Sequence, residues 1–272
     1  MYYEIPGNIN ISSFPFLIKQ SEISYTFSCK TILMQQHVKN KAGDDNLIAF
    51  APAFTNRERG FSPLLQSTQE LDAIKDFYAK GKYFSNAAAN LNEFMINCGN
   101  ASIIHLATHA GAGNDSVIAG IEFYDTTLYL NNIYTLPLKA KLVVLSGCET
   151  GAGNINKTEG LMSLARGFSY AGTQNVVAGL WQTEDKTSGD LFKNFYSALS
   201  SHTISGSLRY AKLKLIENAS VSQASPFYWA GYICIGIPGE KISNTENKDK
   251  LFIFIAGLLL LTGVFMIIKK RR

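Results

Sequence analysis

The chain has few cysteines, and their spacing excludes two common roles. Four cysteines occur among 272 residues, at positions 29, 98, 148 and 234, and none lies in a CxxC pair. This spacing argues against a zinc ribbon and against a dense disulfide framework. We expect Cys29, Cys98 and Cys234 to be buried as small apolar side chains. Cys148 has a different sequence context, which is described below.

Charge is also scarce, and it gives no sign of a nucleic-acid partner. Charged residues make up 17% of the chain, and the net charge is +4. The last four residues, Lys269 to Arg272, account for all of it, so the remainder is close to neutral. A nearly neutral domain lacks the basic surface that binding to a phosphate backbone requires.

Metal and nucleotide motifs are missing too. His105 and His109 have the spacing of a zinc-binding HExxH pair, but residue 106 is Leu where that motif requires Glu. Gly111 and Gly113 are not followed by the Lys-Ser/Thr of a phosphate loop. We therefore expect neither a metal nor a cofactor, and we expect His105 to be a hydrogen-bonded core histidine.

One long apolar run predicts a membrane anchor. Residues 251–268 read LFIFIAGLLLLTGVFMII, with no charge, and are followed by a basic tail, 269–272. Eighteen helical residues span about 27 Å, close to the ~30 Å hydrocarbon core of a bilayer. Residues 241–250 form a polar linker before this run. The positive-inside rule favours a cytoplasmic tail, but no secretory signal opens the chain. The expectation is either a fragment of a longer precursor or a tail-anchored protein, with the side of the soluble domain open.

Apolar strands alternate with helices through residues 1–240, which predicts an α/β domain with a mainly parallel sheet covered on both faces. The predicted strands are 47–51, 102–108, 142–146, 175–181 and 228–235, with a hairpin at 121–123 and 128–130. The predicted helices are 67–79, 87–97, 160–170, 185–199 and 207–216.

Two glycine-rich segments carry the candidate chemistry. His109 lies in HLATHAGAG and Cys148 lies in LSGCETG, each just beyond an apolar strand. If the two strands are neighbours, these side chains emerge at the same edge of the sheet. A thiol beside an imidazole can form an activated thiolate, and the amides of Ala110 and Cys148 could stabilise an oxyanion. The residues alone leave a buried structural cysteine open as the alternative.

An ordered set of motifs resembles a known family. HLATHAGAG, KLVVLSGCETGAG, EGLMSLARGFSYAGTQNVVAGLWQTED and NFYSAL are similar to the CHAT domain, a member of the caspase–separase group of cysteine peptidases. YWAGYICIG resembles the closing strand of that domain. The resemblance implies a caspase-like sandwich, with His109 as the catalytic histidine and Cys148 as the nucleophile. Gly147 and Ala110 depart from the family pattern, in which alanine precedes the cysteine and glycine often follows the histidine.

The resemblance also raises the question of specificity and partners. It implies that Ser146, two residues before the cysteine, lines a specificity pocket. It also matches Asp185 to an acidic position that selects a basic residue in separase-like enzymes. Asp185 as a helix cap is the open alternative. We predict a membrane-anchored cysteine endopeptidase acting on a protein or peptide. The alternative is a non-catalytic signalling or scaffold module that binds a protein partner. Family members often occur beside TPR repeats, so a TPR-containing protein or region is an expected partner.

Overall fold

A computed structural model describes residues 14–37, 46–111, 118–147, 157–181, 185–218 and 225–242. The chain divides into two compact units, Met1–Ile242 and Ser243–Arg272, and the described residues all belong to the first. The predicted linker beyond Ile242 and the predicted membrane segment, 251–268, lie outside the described residues. Within the described ranges, no helix is long and apolar enough to cross a bilayer.

A six-stranded sheet forms the centre of the first unit. Its strands are β1 (Leu47–Ala51), β2 (Lys82–Ser85), β3 (Ile103–Leu106), β7 (Leu142–Leu145), β8 (Asn175–Gly179) and β9 (Tyr232–Gly236). Across the sheet they lie in the order β2-β1-β3-β7-β8-β9. The first five strands in this order are parallel, and β9 pairs antiparallel with β8. The predicted α/β fold with a mainly parallel sheet is confirmed.

A second, antiparallel sheet has three strands, which come between β3 and β7 along the chain. They are β4 (Ala110–Gly111), β5 (Gly120–Glu122) and β6 (Thr127–Tyr129). Their order in the sheet is β4-β5-β6. The pairing of β5 with β6 confirms the predicted hairpin to within one residue.

Helices cover both faces of the central sheet. The helices of the described residues are α1 (Cys29–His37), α2 (Ser67–Lys75), α3 (Leu91–Asn97), α4 (Leu130–Ile133), α5 (Lys157–Tyr170), α6 (Asp185–Ala198), α7 (Ile204–Asn218) and α8 (Pro226–Trp229). Successive strand residues point to opposite faces, so each strand supplies two cores. Ile48, Phe50 and Val143 pack on the face that holds α3 and α5. Ala49, Val144 and Val177 pack on the face that holds α2, α6 and α7.

Several element boundaries differ from the prediction. Helix α3 begins at Leu91 rather than at residue 87, because the Asn90 side chain accepts a hydrogen bond from the Glu93 amide at 2.9 Å and caps the helix there. The last strand begins at Tyr232 rather than at residue 228. Ser225 and Pro226 start a short helix, α8, that contains Trp229.

The prediction for the cysteines is partly wrong. Cys98 and Cys234 are buried, as expected, but Cys29 is exposed. Cys29 opens α1, a helix with little amphipathic character and a largely exposed first half, so no core is available to cover it. Cys148 lies outside the described residues.

Candidate active site

The two strands that precede the candidate residues are neighbours in the sheet. Strands β3 and β7 pair in parallel, with Leu106 opposite Leu145. The pairing continues beyond the strands, since the Ser146 amide donates to the Leu106 carbonyl at 3.1 Å. The segments that follow β3 and β7 therefore leave the sheet side by side at its carboxyl edge, as predicted.

Gly147 lies directly against the backbone of Thr108. A Cβ added at Gly147 would overlap the Thr108 carbonyl oxygen and would lie 2.6 Å from both the carbonyl carbon and the amide nitrogen. Only glycine fits this approach without displacing the backbone. The resemblance implies alanine at this position, and the glycine found here thus has a steric reason in this chain.

His109 is held in place by a backbone carbonyl and two aromatic rings. Its Nε2 lies 2.7 Å from the Ser62 carbonyl oxygen. The imidazole packs against Phe54 and Phe61, each with ring centroids 5.3 Å away, and the residue is only 3% exposed. A carbonyl can only accept, so Nε2 carries the proton and donates it to Ser62. In the neutral imidazole, Nδ1 is then the basic nitrogen.

The loop between β1 and α2 supplies these contacts to His109. Its backbone is left-handed at Ala53, Phe54, Arg57 and Arg59, a conformation that costs non-glycine residues roughly 1 kcal/mol or more each. Ser62 precedes Pro63, and a residue before proline is held extended, which fixes the direction of its carbonyl. None of the sequence motifs lies in this loop. Its prolines, at 52 and 63, are the feature of the sequence that could have indicated a loop with a fixed backbone.

Arg59 fastens this loop to the second sheet. Its guanidinium donates to the Phe123 carbonyl at 2.8 Å and to the Thr127 hydroxyl at 2.7 Å, and forms an ion pair with Glu122 at 2.8 Å. The second sheet also holds the histidine segment. The Thr108 hydroxyl donates to the Glu122 carbonyl at 2.5 Å, and the Glu122 amide donates to the His109 carbonyl at 2.9 Å.

Ala110 is the first residue of β4 and pairs with Ile121 of β5. The bond from the Glu122 amide to the His109 carbonyl flanks this pair, so Ala110 and Ile121 form a non-hydrogen-bonded pair. In such a pair, each residue's own N–H points away from the partner strand. The Ala110 amide therefore faces away from β5.

Ser146 belongs to a buried polar network beneath the sheet edge. Its carbonyl accepts from the Tyr232 hydroxyl at 2.6 Å, and its own hydroxyl lies 3.4 Å from Nε2 of His105. The Tyr232 hydroxyl is in turn 2.9 Å from the Ser188 hydroxyl. Tyr232 thus fixes the backbone two residues before Cys148, a role that no motif in the sequence marks.

His105 is a hydrogen-bonded core histidine, as expected. It is fully buried, with Nε2 2.9 Å from a Glu70 carboxylate oxygen and Nδ1 3.1 Å from the Tyr196 hydroxyl. Complete burial raises the pKa of Tyr196 well above its usual value, so this phenol keeps its proton and can donate to Nδ1. Nε2 then carries the ring proton, and its close contact with the Glu70 carboxylate joins β3 to α2.

The remaining predicted site residues are less completely described. Asp185 is the first residue of α6, but its side chain is outside the described part of the structure, as is the whole of Cys148. Among the described residues, no group of three or more His, Cys, Asp or Glu side chains is placed to hold a metal ion.

Comparison with known families decides the assignment. A family model described as the CHAT domain matches residues 6–237. The chain belongs to the CHAT-domain family. Two curated relatives of this CHAT domain are tetratricopeptide repeat protein 28 of Mus musculus, 31% identical over 105 residues, and its Homo sapiens counterpart, 29% identical over 105 residues. Each match covers 39% of this chain and only 4% of the relative.

Two solved structures resemble this chain at low sequence identity. The separase of the Saccharomyces cerevisiae separase–securin complex superposes with a TM-score of 0.53 and 13% identity, over 84% of this chain and 15% of that one. The Arg-specific cysteine proteinase gingipain R gives a TM-score of 0.48 and 10% identity, over 78% of this chain and 52% of that one. The separase match shows that the CHAT domain has a caspase-like fold.

Proposed function

We propose that this CHAT domain is a cysteine endopeptidase in which Cys148 is the nucleophile and His109 moves the proton. The observation that carries the proposal is the contact between Gly147 and the Thr108 backbone. Cys148 and His109 are the next residues along the chain from these two, and consecutive Cα atoms are only about 3.8 Å apart. The contact therefore favours a thiol and an imidazole within reach of each other.

The tautomer of His109 suits this role. With Nε2 donating to the Ser62 carbonyl, Nδ1 is the nitrogen that can take a thiol proton. The resulting imidazolium keeps its hydrogen bond to Ser62 and gives its new proton to the departing amine. Phe54 and Phe61 hold the ring by packing, so the imidazole needs little reorganisation between these steps.

The reaction proceeds in two stages. The Cys148 thiolate attacks the peptide carbonyl carbon, forming a C–S bond, and the C–N bond breaks as His109 protonates the amine. Water then attacks the thioester, with His109 as base, and releases the carboxylic acid and the thiol. The Ala110 amide, which faces away from β5, is one donor for the oxyanion, and the Cys148 amide is the other.

Cleavage of a peptide library tests this assignment. The full chain is incubated with a mixed library, and new amino termini are identified by mass spectrometry. We expect cleavage by the wild type, none by Cys148→Ala, and full activity in Cys29→Ala, which removes an exposed cysteine far in sequence from the site. Cleavage that persists in Cys148→Ala would refute the proposal.

The same library addresses specificity. If Asp185 selects a basic residue, the cleaved bonds follow Arg or Lys, and Asp185→Asn loses that preference. If Asp185 acts only as the cap of α6, the preference is unchanged, and so is the stability, because Asn caps a helix about as well as Asp does.

A second candidate function is a protein-binding module without catalysis. It is favoured by the curated relatives, whose names describe tetratricopeptide repeats. On this proposal the domain works beside a TPR-containing partner. It predicts no library cleavage, and a cellular function that survives Cys148→Ala.

The membrane anchor at 251–268 is part of the proposal and rests on the composition of that segment. We expect the full chain to stay in the membrane pellet after alkaline carbonate extraction and a chain ending at residue 242 to be released. Release of both would refute the anchor.

A further inference from the structure

A cavity of about 330 Å³ lies beside β9 and is lined mostly by apolar side chains. Its lining includes Phe16 and Ile23 of the N-terminal segment, Trp229 of α8 and Ile233 of β9. A volume of this size is at the lower end of the range for small-molecule sites. The cavity is separate from the residues that contact His109.

One buried cation lines this cavity. Lys212 of α7 is 8% exposed, and its ammonium lies 3.5 Å from the Ala230 carbonyl, which also lines the cavity. An ammonium has three protons to donate, and among the described residues this single long bond is the polar contact of Nζ. Burial lowers the pKa of Lys212 to about 8, so the group is still protonated at neutral pH.

Among the described residues, no carboxylate forms an ion pair with Lys212. The neighbouring Cys234 thiol also lines the cavity, but burial raises its pKa to about 12, so it stays uncharged. Glu22 does not line the cavity; its carboxylate accepts from the Thr203 hydroxyl at 2.8 Å and from the Ser205 hydroxyl at 3.1 Å. Among the described residues that line the cavity there is no Asp or Glu.

The other charged and titratable groups at the cavity are Arg209 and Tyr25. Arg209 donates to the Ile18 and Lys19 carbonyls, both at 2.6 Å, so it holds the N-terminal segment in place. The described lining thus combines an apolar surface with two cations and no anion.

We propose that this cavity binds a small monocarboxylic acid with an apolar body. The carboxylate pairs with the Lys212 ammonium, and the apolar part lies against Phe16, Trp229 and Ile233. A charge-assisted hydrogen bond in a largely apolar cavity supplies both affinity and orientation. The ligand chemistry is shared by free short-chain acids and by the carboxyl terminus of a peptide.

Calorimetry on the full chain in lipid nanodiscs tests the proposal with hexanoate, a free acid, and N-acetyl-leucine, a mimic of a peptide terminus. We expect at least one of them to bind and its uncharged amide to bind roughly ten- to a hundredfold more weakly. Tighter binding of hexanoate identifies a free acid as the ligand type, and tighter binding of N-acetyl-leucine identifies a chain terminus. Binding of neither acid, or equal binding of acid and amide, overturns the proposal.

Variants on one helix separate the cavity lysine from surface charge. Lys212→Met removes the ammonium and keeps the length of the side chain, and should reduce affinity by the same ten- to a hundredfold. Lys214→Met is the matched control, because Lys214 is exposed and pairs with Glu217 at 2.7 Å; it should bind as the wild type does. In the wild type, affinity should fall as the pH rises above about 8. Affinity that ignores both Lys212→Met and this pH change would contradict the assignment.

Discussion

Replacing Gly147 with alanine tests the contact on which the proposed active site depends. The new Cβ would overlap the Thr108 carbonyl oxygen, and the atoms it meets belong to backbone, which cannot rotate away as a side chain can. The Thr108 segment is itself held in place by two hydrogen bonds to Glu122. The Thr108 hydroxyl donates to the Glu122 carbonyl, and the Glu122 amide donates to the His109 carbonyl. One of the two segments must therefore move by most of an ångström.

Overpacking of this kind lowers the free energy of unfolding by about 1–3 kcal/mol. We expect a value in the upper part of that range, because the atoms that the new Cβ meets belong to the backbone. In a domain of this size we expect the melting temperature to fall by roughly 4–10 °C. Displacement of His109 by about 1 Å should also slow any reaction of Cys148 that depends on the imidazole by about a hundredfold.

The assay pairs thermal unfolding with the rate of Cys148 alkylation by iodoacetamide. Gly111→Ala is the matched control: a Cβ there meets nothing within 4 Å, so its melting temperature should stay near that of the wild type. A Gly147→Ala protein with unchanged melting temperature and unchanged alkylation would show that the two strand ends do not approach each other in this way, and the reasoning would fail.

Two further substitutions probe the buried polar groups. Lys212→Met should stabilise the protein by about 3 kcal/mol at pH 7, because the folded state lowers the Lys212 pKa from 10.5 to about 8 and so penalises the charged form. The cost of holding Lys212 charged in the folded state is complete below pH 8 and vanishes as the pH rises through 10.5. Urea unfolding should therefore show a smaller stabilisation by Lys212→Met at pH 10.5 than at pH 7. Equal stabilisation at both pH values would contradict burial of the charge as its cause. Tyr232→Phe leaves the Ser146 carbonyl without its donor and should cost about 1–3 kcal/mol in urea unfolding, whereas Tyr170→Phe, at a side chain 74% exposed, should cost almost nothing; equal effects would refute the network.

The central strands could be predicted from the sequence because buried parallel strands are continuous apolar runs. Strand β1, with the sequence LIAFA, is buried at every position. Strand β2, with the sequence KYFS, was missed because it lies at the sheet edge and is only partly buried. Neither an apolar composition nor a hydrophobic periodicity therefore predicts a strand there. Helix α1 was missed because it has no clear apolar face. The antiparallel direction of β9 depends on the route of the chain and not on its local sequence.

The sequence predicts only those parts of the candidate site that are formed by side chains, and not those formed by the backbone. The motif around His109 and the one around Cys148 follow apolar runs, and the pairing of β3 with β7 confirms that these strands are neighbours. The partner of the imidazole is a backbone carbonyl, that of Ser62, and any residue has one, so no pattern could identify it. The need for glycine at position 147 depends on the Thr108 backbone, which is distant in sequence.

The pH dependence of Cys148 alkylation tests the central claim, that His109 activates this thiol, most directly. The full chain is treated with iodoacetamide from pH 5 to pH 9, and each cysteine is followed by mass spectrometry. Exposed Cys29 serves as the internal reference, and His202→Ala removes an exposed histidine as the control. We predict fast labelling of Cys148 near neutral pH that slows at least tenfold in His109→Ala and is unchanged in His202→Ala. Labelling of Cys148 at the same rate in wild type and His109→Ala would contradict the account.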